Sequence, residues 1–306
     1  MSRYLVTGGA GFIGSHLVAA LLAEGHRVRV LDDLSTGRRD NLPAAAELIL
    51  GDVADPAATA AAMAGMDGCF HLAAIASVAR AAEDWPGTHR VNLGGTVAVL
   101  DAARARRVPV VYASSAAVYG DCAELPLTEA AIPSPLSAYG ADKLGSELHA
   151  AVASGVFGVP TVGLRFFNVF GPRQDPASPY SGVISVFAGR LRAGMPLPLH
   201  GDGGQTRDFV FVADVVAALR AAMARPAGGA AVFNICTGTP TRIRDLAATL
   251  AAIAGVTLRL TEGPPRPGDI RHSLGSPAAA RAALGLGPPT PLAQGLAAVW
   301  DWLGRP

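Results

Sequence analysis

A glycine-rich stretch near the amino terminus constrains this chain more than any other feature. An apolar run at residues 4–6 leads into Gly8, Gly11 and Gly14, and apolar side chains at helical spacing follow over residues 13–22. A strand, a tight turn and a helix N-terminus in this order can hold a dinucleotide pyrophosphate. The glycines let the backbone approach the phosphates, and the first helical N–H groups point at them. Glycine turns also occur without a ligand, so this signal needs support elsewhere in the chain.

The second apolar run, residues 27–31, supplies that support because it ends at Asp32 and Asp33. A carboxylate at this place can accept hydrogen bonds from both adenosine ribose hydroxyls. It would also repel a 2′-phosphate, which favours NAD over NADP. The alternative is that Asp32 only caps the polar loop that follows.

Composition excludes several other classes of protein. Of 306 residues, half are hydrophobic and 16% are charged, and the net charge is +1. No basic run suggests a nucleic-acid surface, and no uncharged apolar run reaches the roughly 18 residues of a membrane span. A strand that begins by Tyr4 leaves no room for a signal peptide. Cys69, Cys122 and Cys236 lack metal-ligand spacing, so we expect free thiols, no metal and a cytoplasmic location.

Strands and helices alternate along the first half of the chain. Further strands are predicted at residues 47–50, 68–72, 108–114 and 159–167, with helices at 57–63, 85–107 and 137–153. This alternation predicts an α/β fold, a Rossmann-type doubly wound parallel sheet with helices on both faces. We place this domain at residues 1–167, with returns near 209–236, and a smaller, irregular α/β lobe at 168–306.

The carboxyl ends of the predicted strands should ring one ligand site. Asp52, Leu72-Ala73, Ser114-Ser115 and Phe166-Phe167-Asn168 all fall at such ends. Asp52 could accept a hydrogen bond from an adenine amino group, or could only be the N-cap of the next helix. We expect His71 to pack and hydrogen-bond within the sheet rather than react.

Tyr139 and Lys143 lie four residues apart, on one face of a predicted helix. A free tyrosine has a pKa of about 10, so its ionisation near neutrality needs roughly 4 kcal/mol of stabilisation. A neighbouring ammonium group and a positive nicotinamide ring can supply it, and Tyr139 would then act as a general acid and base. Alone, such a pair is usually an ordinary helix surface pair. Ser115, which closes the preceding strand, completes a more specific Ser-Tyr-Lys constellation.

These motifs resemble those of the extended short-chain dehydrogenase/reductase family and, within it, the UDP-hexose 4-epimerases. The matching segments are residues 7–14, 32–37, 51–53, 71–74, 114–120, 139–143, 164–173, 205–209 and 266–269. The resemblance implies that Tyr139 removes the proton of the sugar O4 while the C4 hydride passes to NAD. It implies that Ser115 hydrogen-bonds O4, and that Lys143 holds the nicotinamide ribose and lowers the pKa of Tyr139. The 4-keto sugar then turns and hydride returns to its opposite face, so the enzyme is an isomerase.

The resemblance also implies two sets of binding residues. The set that would hold NAD is Gly8, Gly11, Phe12, Ile13, Gly14, Asp32, Asp33, Leu34, Ser35, Thr36, Gly37, Asp52, Val53, Leu72, Ala73, Ala74, Asn92, Ser114, Tyr139, Lys143 and Phe166. The set that would hold the UDP-sugar is Ser77, Ser115, Tyr139, Asn168, Val183, Leu199, Arg207, Arg266, Asp269 and Ser273. Arg207 and Arg266 would clamp the diphosphate, because guanidinium groups suit that charge. The alternative for both is a surface arginine in a loop.

Departures from the family pattern indicate which reaction the enzyme catalyses and which sugar it accepts. Related dehydratases carry an Asp-Glu pair where this chain has Ala116 and Ala117, and decarboxylating relatives carry a glutamate at the second position. Neither acid is present here, so dehydration and decarboxylation are disfavoured.

Epimerases specific for UDP-glucose and UDP-galactose carry a lysine at the Ala76 position and a bulky tyrosine at the Ser273 position. A serine would leave room for an N-acetyl group. We therefore expect interconversion of UDP-N-acetylglucosamine and UDP-N-acetylgalactosamine, and activity on UDP-glucose and UDP-galactose as well. The alternative is that Ser273 is a loop serine without this role.

Other functions stay open at this point. The enzyme could be restricted to non-acetylated sugars. A UDP-glucuronate 4-epimerase should need an additional cation near the sugar C5, which the sequence does not identify. A nucleotide-sugar reductase would consume NADPH, which Asp32 disfavours, and a non-catalytic NAD-binding regulator would typically lose Tyr139 or Lys143. The resemblance also implies a homodimer joined by helices near residues 94–106 and 139–153, although a face buried within one subunit would look identical in sequence.

Overall fold

A seven-stranded sheet forms the centre of the molecule, and all of its neighbouring strands are parallel. The computed structural model describes residues 1–176, 182–225, 228–266 and 269–304. With strands numbered in chain order, the sheet contains β1 (Arg3–Thr7), β2 (Arg27–Asp32), β3 (Glu47–Leu50), β4 (Gly68–His71), β5 (Val110–Ser115), β6 (Thr161–Phe166) and β10 (Ala230–Ile235).

The strand order across this sheet is β3-β2-β1-β4-β5-β6-β10. The chain builds outward from β1 to β3 and then returns to β4 on the other side of β1. A crevice therefore opens beyond the carboxyl ends of β1 and β4, where ligands bind in such sheets. The predicted doubly wound α/β fold is confirmed.

Helices cover both faces of the sheet. The described helices are α1 (Phe12–Ala23), α2 (Pro56–Met63), α3 (Val78–Glu83), α4 (Trp85–His89), α5 (Gly95–Arg104), α6 (Ala138–Phe157), α7 (Val183–Arg192), α8 (Val212–Ala224), α9 (Ile243–Ala254), α10 (Ala278–Leu284) and α11 (Leu292–Leu303). One face packs on α1 and α8 through residues such as Val6 and Leu219. The other packs on α2, α5 and α6 through residues such as Leu5 and Val99. Successive residues of β1 thus enter opposite cores, which is why the strands are apolar throughout.

The helix predicted over residues 85–107 is confirmed for residues 85–104, and it contains one irregular turn. The chain is helical through α4, a π-helical turn at Arg90–Gly94 and α5, which ends at Arg104. π-Helical turns are inserted within α-helices and often lie at functional sites. This one carries Asn92, whose amide bonds the backbone of Ile75, a long-range contact that helical periodicity cannot reveal.

The remaining strands form two small sheets in a second lobe. β7 (Asn168–Phe170), β9 (Thr206–Phe211) and β11 (Pro240–Arg242) make a three-stranded sheet, and β8 (Leu197–His200) pairs with β12 (Leu260–Gly263). Helices α7, α9 and α11 surround a third core with these strands. β10 lies beside β6, and α8 packs against α1. In the part of the chain described, no helix is long and apolar enough to cross a membrane.

Candidate active site

A cleft of about 610 Å³ lies beyond the carboxyl ends of the parallel strands. It gathers most of the residues that the sequence assigned to a cofactor and to catalysis, together with Asn168 from the substrate set. These are Gly8, Gly11, Phe12, Ile13, Gly14, Asp32, Asp33, Ser35, Thr36, Gly37, Asp52, Val53, Leu72, Ala73, Ala74, Ser114, Ser115, Tyr139, Lys143, Phe166 and Asn168.

The turn between β1 and α1 has the geometry of a phosphate cradle. Gly8 has a φ of +68°, and a Cβ there would lie 2.7 Å from the amide nitrogen of Ala73. A Cβ on Gly14 would lie 2.2 Å from the carbonyl oxygen of Gly8. Gly11 is the N-cap of α1 and no side chain caps the helix, which leaves the first-turn N–H groups to a ligand. The turn therefore fits a dinucleotide pyrophosphate.

Asp32 ends β2 and is held by two backbone amides. Its carboxylate accepts hydrogen bonds of 2.9 Å from the N–H groups of Ala10 and Leu34. Burial raises the pKa of this carboxyl, and the two amides oppose the rise. Asp32 therefore both caps the following loop and lines the cleft, so the two interpretations of the sequence are compatible.

Asp52 is not the N-cap of α2, because Asp55 takes that position and accepts the N–H of Ala57. The Asp52 carboxylate accepts from the amide of Ala54 at 2.8 Å and from the Arg90 guanidinium at 2.7 Å. Burial acts to raise the pKa of Asp52, but these two donors outweigh it and the pKa is lowered. Asp52 is thus an ionised acceptor at the rim of the cleft.

Ser115, Tyr139 and Lys143 meet where β5 ends and α6 begins. Ser137 caps α6 by accepting the N–H of Gly140. Ser115 Oγ accepts the N–H of Ala117 at 3.1 Å, and its interaction with the Tyr139 phenol acts to lower the pKa of that phenol. Lys143 is only 3% exposed, and its ammonium donates to the carbonyl oxygen of Ala113 at 2.9 Å. The pair is therefore not an ordinary helix surface pair.

The electrostatics of this trio differ from the sequence-based expectation. Burial raises the pKa of the Tyr139 phenol, and the interaction with Ser115 opposes that rise without cancelling it. The Lys143 ammonium lies 5.8 Å from the centre of the Tyr139 ring. Burial also lowers the pKa of Lys143 to about 8, although Asp142 acts to raise it. In the protein alone, Lys143 thus does not lower the pKa of Tyr139 below its usual value.

His71 serves the sheet, as predicted. Its Nδ1 lies 2.8 Å from the Thr7 hydroxyl and its Nε2 lies 3.1 Å from the Thr96 hydroxyl. Burial, and secondarily the Lys143 charge, lower the pKa of His71 to about 3. The ring is therefore neutral and structural.

A second group of predicted residues meets in the other lobe, around Arg207 on β9. The Arg207 guanidinium donates to the Thr206 carbonyl oxygen at 2.8 Å and pairs with the Asp269 carboxylate. Ser273 is 5% exposed, and its N–H donates to the same Thr206 carbonyl oxygen at 3.1 Å. Arg266 is exposed, and residues 267–268 of its motif lie outside the described residues. Arg207 is therefore no loose surface arginine, whereas Arg266 lies at the surface.

Comparisons with known proteins place the chain in a family. It matches the NAD dependent epimerase/dehydratase family over residues 4–236. It is 41% identical over 303 residues to a UDP-glucose 4-epimerase of Mycolicibacterium smegmatis, covering 96% of both chains. This chain belongs to the NAD dependent epimerase/dehydratase family.

Solved structures agree over almost the full length. A UDP-glucose 4-epimerase of Thermotoga maritima, solved with UDP-glucose, is 35% identical, with a TM-score of 0.95 and 98% of both chains covered. A UDP-N-acetylglucosamine 4-epimerase of Methanobrevibacter ruminantium, in complex with UDP-N-acetylmuramic acid, is 31% identical with a TM-score of 0.94. That likeness covers 99% of this chain and 98% of the other. The protein is an NAD-dependent UDP-sugar 4-epimerase, as the resemblance implied.

Some residues that the sequence assigned to ligands do not line the cleft of this epimerase. Leu34 has a φ of +57° and contributes its amide to Asp32. Asn92 holds Ile75, which does line the cleft. Ser77 caps α3 by accepting the N–H of Arg80. Leu199 is fully buried in the core of the second lobe, and Val183 packs against the same core.

Other cleft residues of the epimerase escaped the sequence analysis. Arg80 on α3, Arg90 in the π-helical turn and Gln174 all line the cleft. No sequence pattern indicated Arg80, because the short helix that carries it was not predicted. Arg90 lies 38 residues from Asp52 in the sequence, so their ion pair follows only from the fold.

Proposed function

We propose that this epimerase interconverts UDP-N-acetylglucosamine and UDP-N-acetylgalactosamine, and also UDP-glucose and UDP-galactose. The observation that carries the proposal is Ser273, which stands where epimerases restricted to UDP-glucose are expected to have a tyrosine. Its backbone is bonded to Thr206, so it lies directly beside Arg207. A serine side chain is smaller than a tyrosine, and by resemblance to the family the smaller residue would leave room for an N-acetyl group. The likeness to the Methanobrevibacter enzyme supports the same assignment.

The cofactor half of the cleft suits NAD on the observed geometry. The glycine turn and the first amides of α1 would hold the pyrophosphate, and Asp32 would accept the ribose hydroxyls. Bound NAD supplies reversible hydride exchange with C4 of the sugar.

The protein's own part in the reaction is to move one proton and to orient the sugar. Tyr139 would take the proton of the sugar O4, and Ser115, which lines the same cleft at the end of β5, would hold O4 beside it. Because burial raises the pKa of Tyr139, its ionisation needs positive charge in the cleft. Lys143 and the nicotinamide ring together would provide that charge. Arg207 would hold the diphosphate at a fixed angle, since Asp269 and Thr206 already orient its guanidinium.

A comparison of sugars tests the proposal. The purified enzyme is assayed with UDP-N-acetylglucosamine and with UDP-glucose, and inversion at C4 is followed by NMR. We expect turnover of both pairs in the wild type. Ser273→Tyr should lose at least ~10-fold of its activity on the N-acetylated pair and keep its activity on the other, because steric exclusion from a pocket commonly reaches this size. Ser273→Ala, which adds no volume, should behave as the wild type.

Two outcomes contradict the proposal in different ways. If Ser273→Tyr keeps full activity on the N-acetylated pair, Ser273 does not determine specificity. If the wild type turns over only UDP-glucose and UDP-galactose, the second candidate is correct, an epimerase restricted to non-acetylated sugars. The similarity to the Mycolicibacterium and Thermotoga UDP-glucose 4-epimerases favours this candidate.

We also propose that the enzyme is a homodimer formed through the outer surfaces of α5 and α6. Leu148, Val152 and Val156 recur every four residues on α6 and are 62%, 51% and 69% exposed. Val97 on α5 is also exposed. An apolar stripe of this kind is typical of a protein interface. Val152→Glu should shift the molar mass measured by light scattering from two chains to one, and a wild-type enzyme with the mass of one chain contradicts the proposal.

A further inference from the structure

Helix α6 carries a buried carboxylate one turn beyond Lys143, on the face that presents Tyr139 and Lys143. Glu147 follows them at the same four-residue interval and is 8% exposed. Its carboxylate accepts three hydrogen bonds. One comes from the Ser114 hydroxyl at 2.5 Å, and two come from Arg165, at 2.8 Å from Nε and 2.7 Å from Nη2. The cleft does not include Glu147 or Arg165, so neither is placed to touch a ligand.

The donors to this carboxylate lie immediately before two cleft residues. In the register of β5 and β6, Ser114 pairs with Arg165, and Ser115 pairs with Phe166. One carboxylate on α6 therefore holds both strands at their cleft ends, through Ser114, which lines the cleft, and through Arg165, which directly precedes Phe166. It fixes the helix that carries Tyr139 and the strand end that carries Ser115 relative to each other.

Arg165 is itself fixed from the opposite side. Its Nη1 donates to the Tyr119 hydroxyl at 2.8 Å, and its guanidinium lies 4.8 Å from the centre of the Tyr119 ring. The Tyr119 hydroxyl donates to Asn234 on β10 at 2.7 Å. A network anchored on β10 and on the segment after β5 thus holds the guanidinium in one orientation. Buried ion pairs are weak evidence for stability, since apolar replacements of similar size often fold equally well.

We propose that Glu147 and Arg165 are positioning residues, which set the separation between the Tyr139 phenol and the Ser115 hydroxyl. The inference rests on the proposed role of Tyr139 as the base. When the pair is lost, α6 is free to shift against β5, and Tyr139 moves relative to Ser115. Ser115 opposes the rise of the Tyr139 pKa caused by burial, so a weaker interaction between the two should move the pKa further up.

The test uses an apolar double variant, Glu147→Leu with Arg165→Met, which leaves no unpaired buried charge. We expect it to fold and to retain NAD. Its kcat should fall by ~10- to 100-fold, since misplacement by about 1 Å costs rates of this order. KM for the UDP-sugar should stay within about twofold. The low-pH limb of the kcat profile, which reports ionisation of Tyr139 in the complex, should move to higher pH. The single variant Arg165→Lys keeps the charge pair with Glu147 and should keep most of the wild-type activity.

A matched control removes another Arg–Glu pair by the same substitutions. Arg29 and Glu47 pair at 3.0 Å between β2 and β3, outside the cleft. The Arg29→Met and Glu47→Leu double variant should match the wild type in kcat and in pH profile. A folded Glu147/Arg165 double variant that also matches the wild type overturns the proposal.

If the double variant fails to fold, a smaller change still tests the proposal. Tyr119→Phe removes the hydroxyl that accepts from Arg165, at a residue outside the cleft, and should lower kcat by ~3- to 10-fold, the equivalent of one ordinary hydrogen bond. The pH limb should shift in the same direction, with KM and NAD content unchanged. An unaltered kcat and pH profile in Tyr119→Phe likewise overturns the proposal. A wild type inactive on every UDP-sugar would instead refute the proposed function.

Discussion

Two parts of this epimerase differ in what sets their geometry. We call them the cofactor half, around the turn between β1 and α1, and the sugar half, around Arg207. In the cofactor half, backbone conformation sets the geometry of the turn. Gly8 and Gly14 admit no Cβ, and Asp32 holds the amides of Ala10 and Leu34. In the sugar half, side chains from distant segments meet, as Arg207 meets Asp269 across 62 positions.

A buried carboxylate shows how the sugar half is assembled. Asp208, adjacent to Arg207, is fully buried and accepts from the Thr237 amide and hydroxyl at 2.8 and 2.7 Å and from the Gly238 amide at 2.9 Å. One side chain thus joins β9 to the loop that follows β10.

The largest effect that distinguishes the halves should come from Gly14→Ala. Its Cβ would lie 2.2 Å from the Gly8 carbonyl oxygen, so the turn must move. We expect a loss of unfolding free energy of about 1–3 kcal/mol. Bound NAD should disappear, and kcat/KM should fall by at least ~100-fold. Nucleotide content is measured by absorbance of the extract from purified protein.

Gly155→Ala is the matched control for that variant. Gly155 lies on α6, and a Cβ at this position would meet no atom of the described chain within 4 Å. Alanine should therefore raise stability slightly through its higher helix propensity. Normal NAD content in Gly14→Ala would mean that the turn is not the pyrophosphate site.

Lys143→Met should separate catalysis from stability within the cofactor half. The buried ammonium has a pKa lowered from 10.5 to about 8. The folded protein therefore binds its proton more weakly than the unfolded chain, and below pH 8 this costs at most about 3 kcal/mol of stability. The penalty fades as pH rises from 8 to 10.5. Methionine removes it, so the variant should be more stable at pH 7 while kcat falls by ~100-fold or more.

Denaturant unfolding at several pH values checks this prediction, on samples with equal NAD content. The gain in unfolding free energy of Lys143→Met over the wild type should shrink steadily above pH 8. A gain that is constant from pH 6 to pH 10 would mean that burial of the charge is not its source.

The same contrast explains what could be predicted from the sequence. Gly8, Asp32 and Tyr139 were identified because their roles depend on local spacing, and the cleft brings them together. Leu199 and Ser77 do not line the cleft. Leu199 lies on β8 and packs in the core of the second lobe, which depends on distant segments, and the Ser77 hydroxyl accepts the N–H of Arg80 at the start of a helix that was not predicted. The fold itself was predictable, since it follows from the alternation of apolar runs and helical patterns.

Arg207→Met should affect the sugar half alone. Loss of charge-assisted hydrogen bonds to a diphosphate should raise KM for the UDP-sugar by ~10- to 100-fold and leave kcat within about threefold. NAD content should not change. Arg271→Met is the control in the same lobe, because Arg271 pairs with Asp202 in solvent, with side chains 55% and 65% exposed. Equal KM values for the two variants would remove Arg207 from the diphosphate site.

Arg90→Met should give the smallest effect, because it tests a place where the cofactor half depends on a long-range side-chain pair. Arg90 and Asp52 are bonded at 2.7 Å, with side chains 59% and 35% exposed. An exposed pair of this kind contributes about 0.2–1 kcal/mol, so NAD affinity should fall by only ~2- to 5-fold. Added salt should reduce the difference from the wild type, because it screens exposed charges. A loss as large as that of Gly14→Ala would contradict the distinction between the halves, since a side-chain pair would then matter as much as the backbone turn.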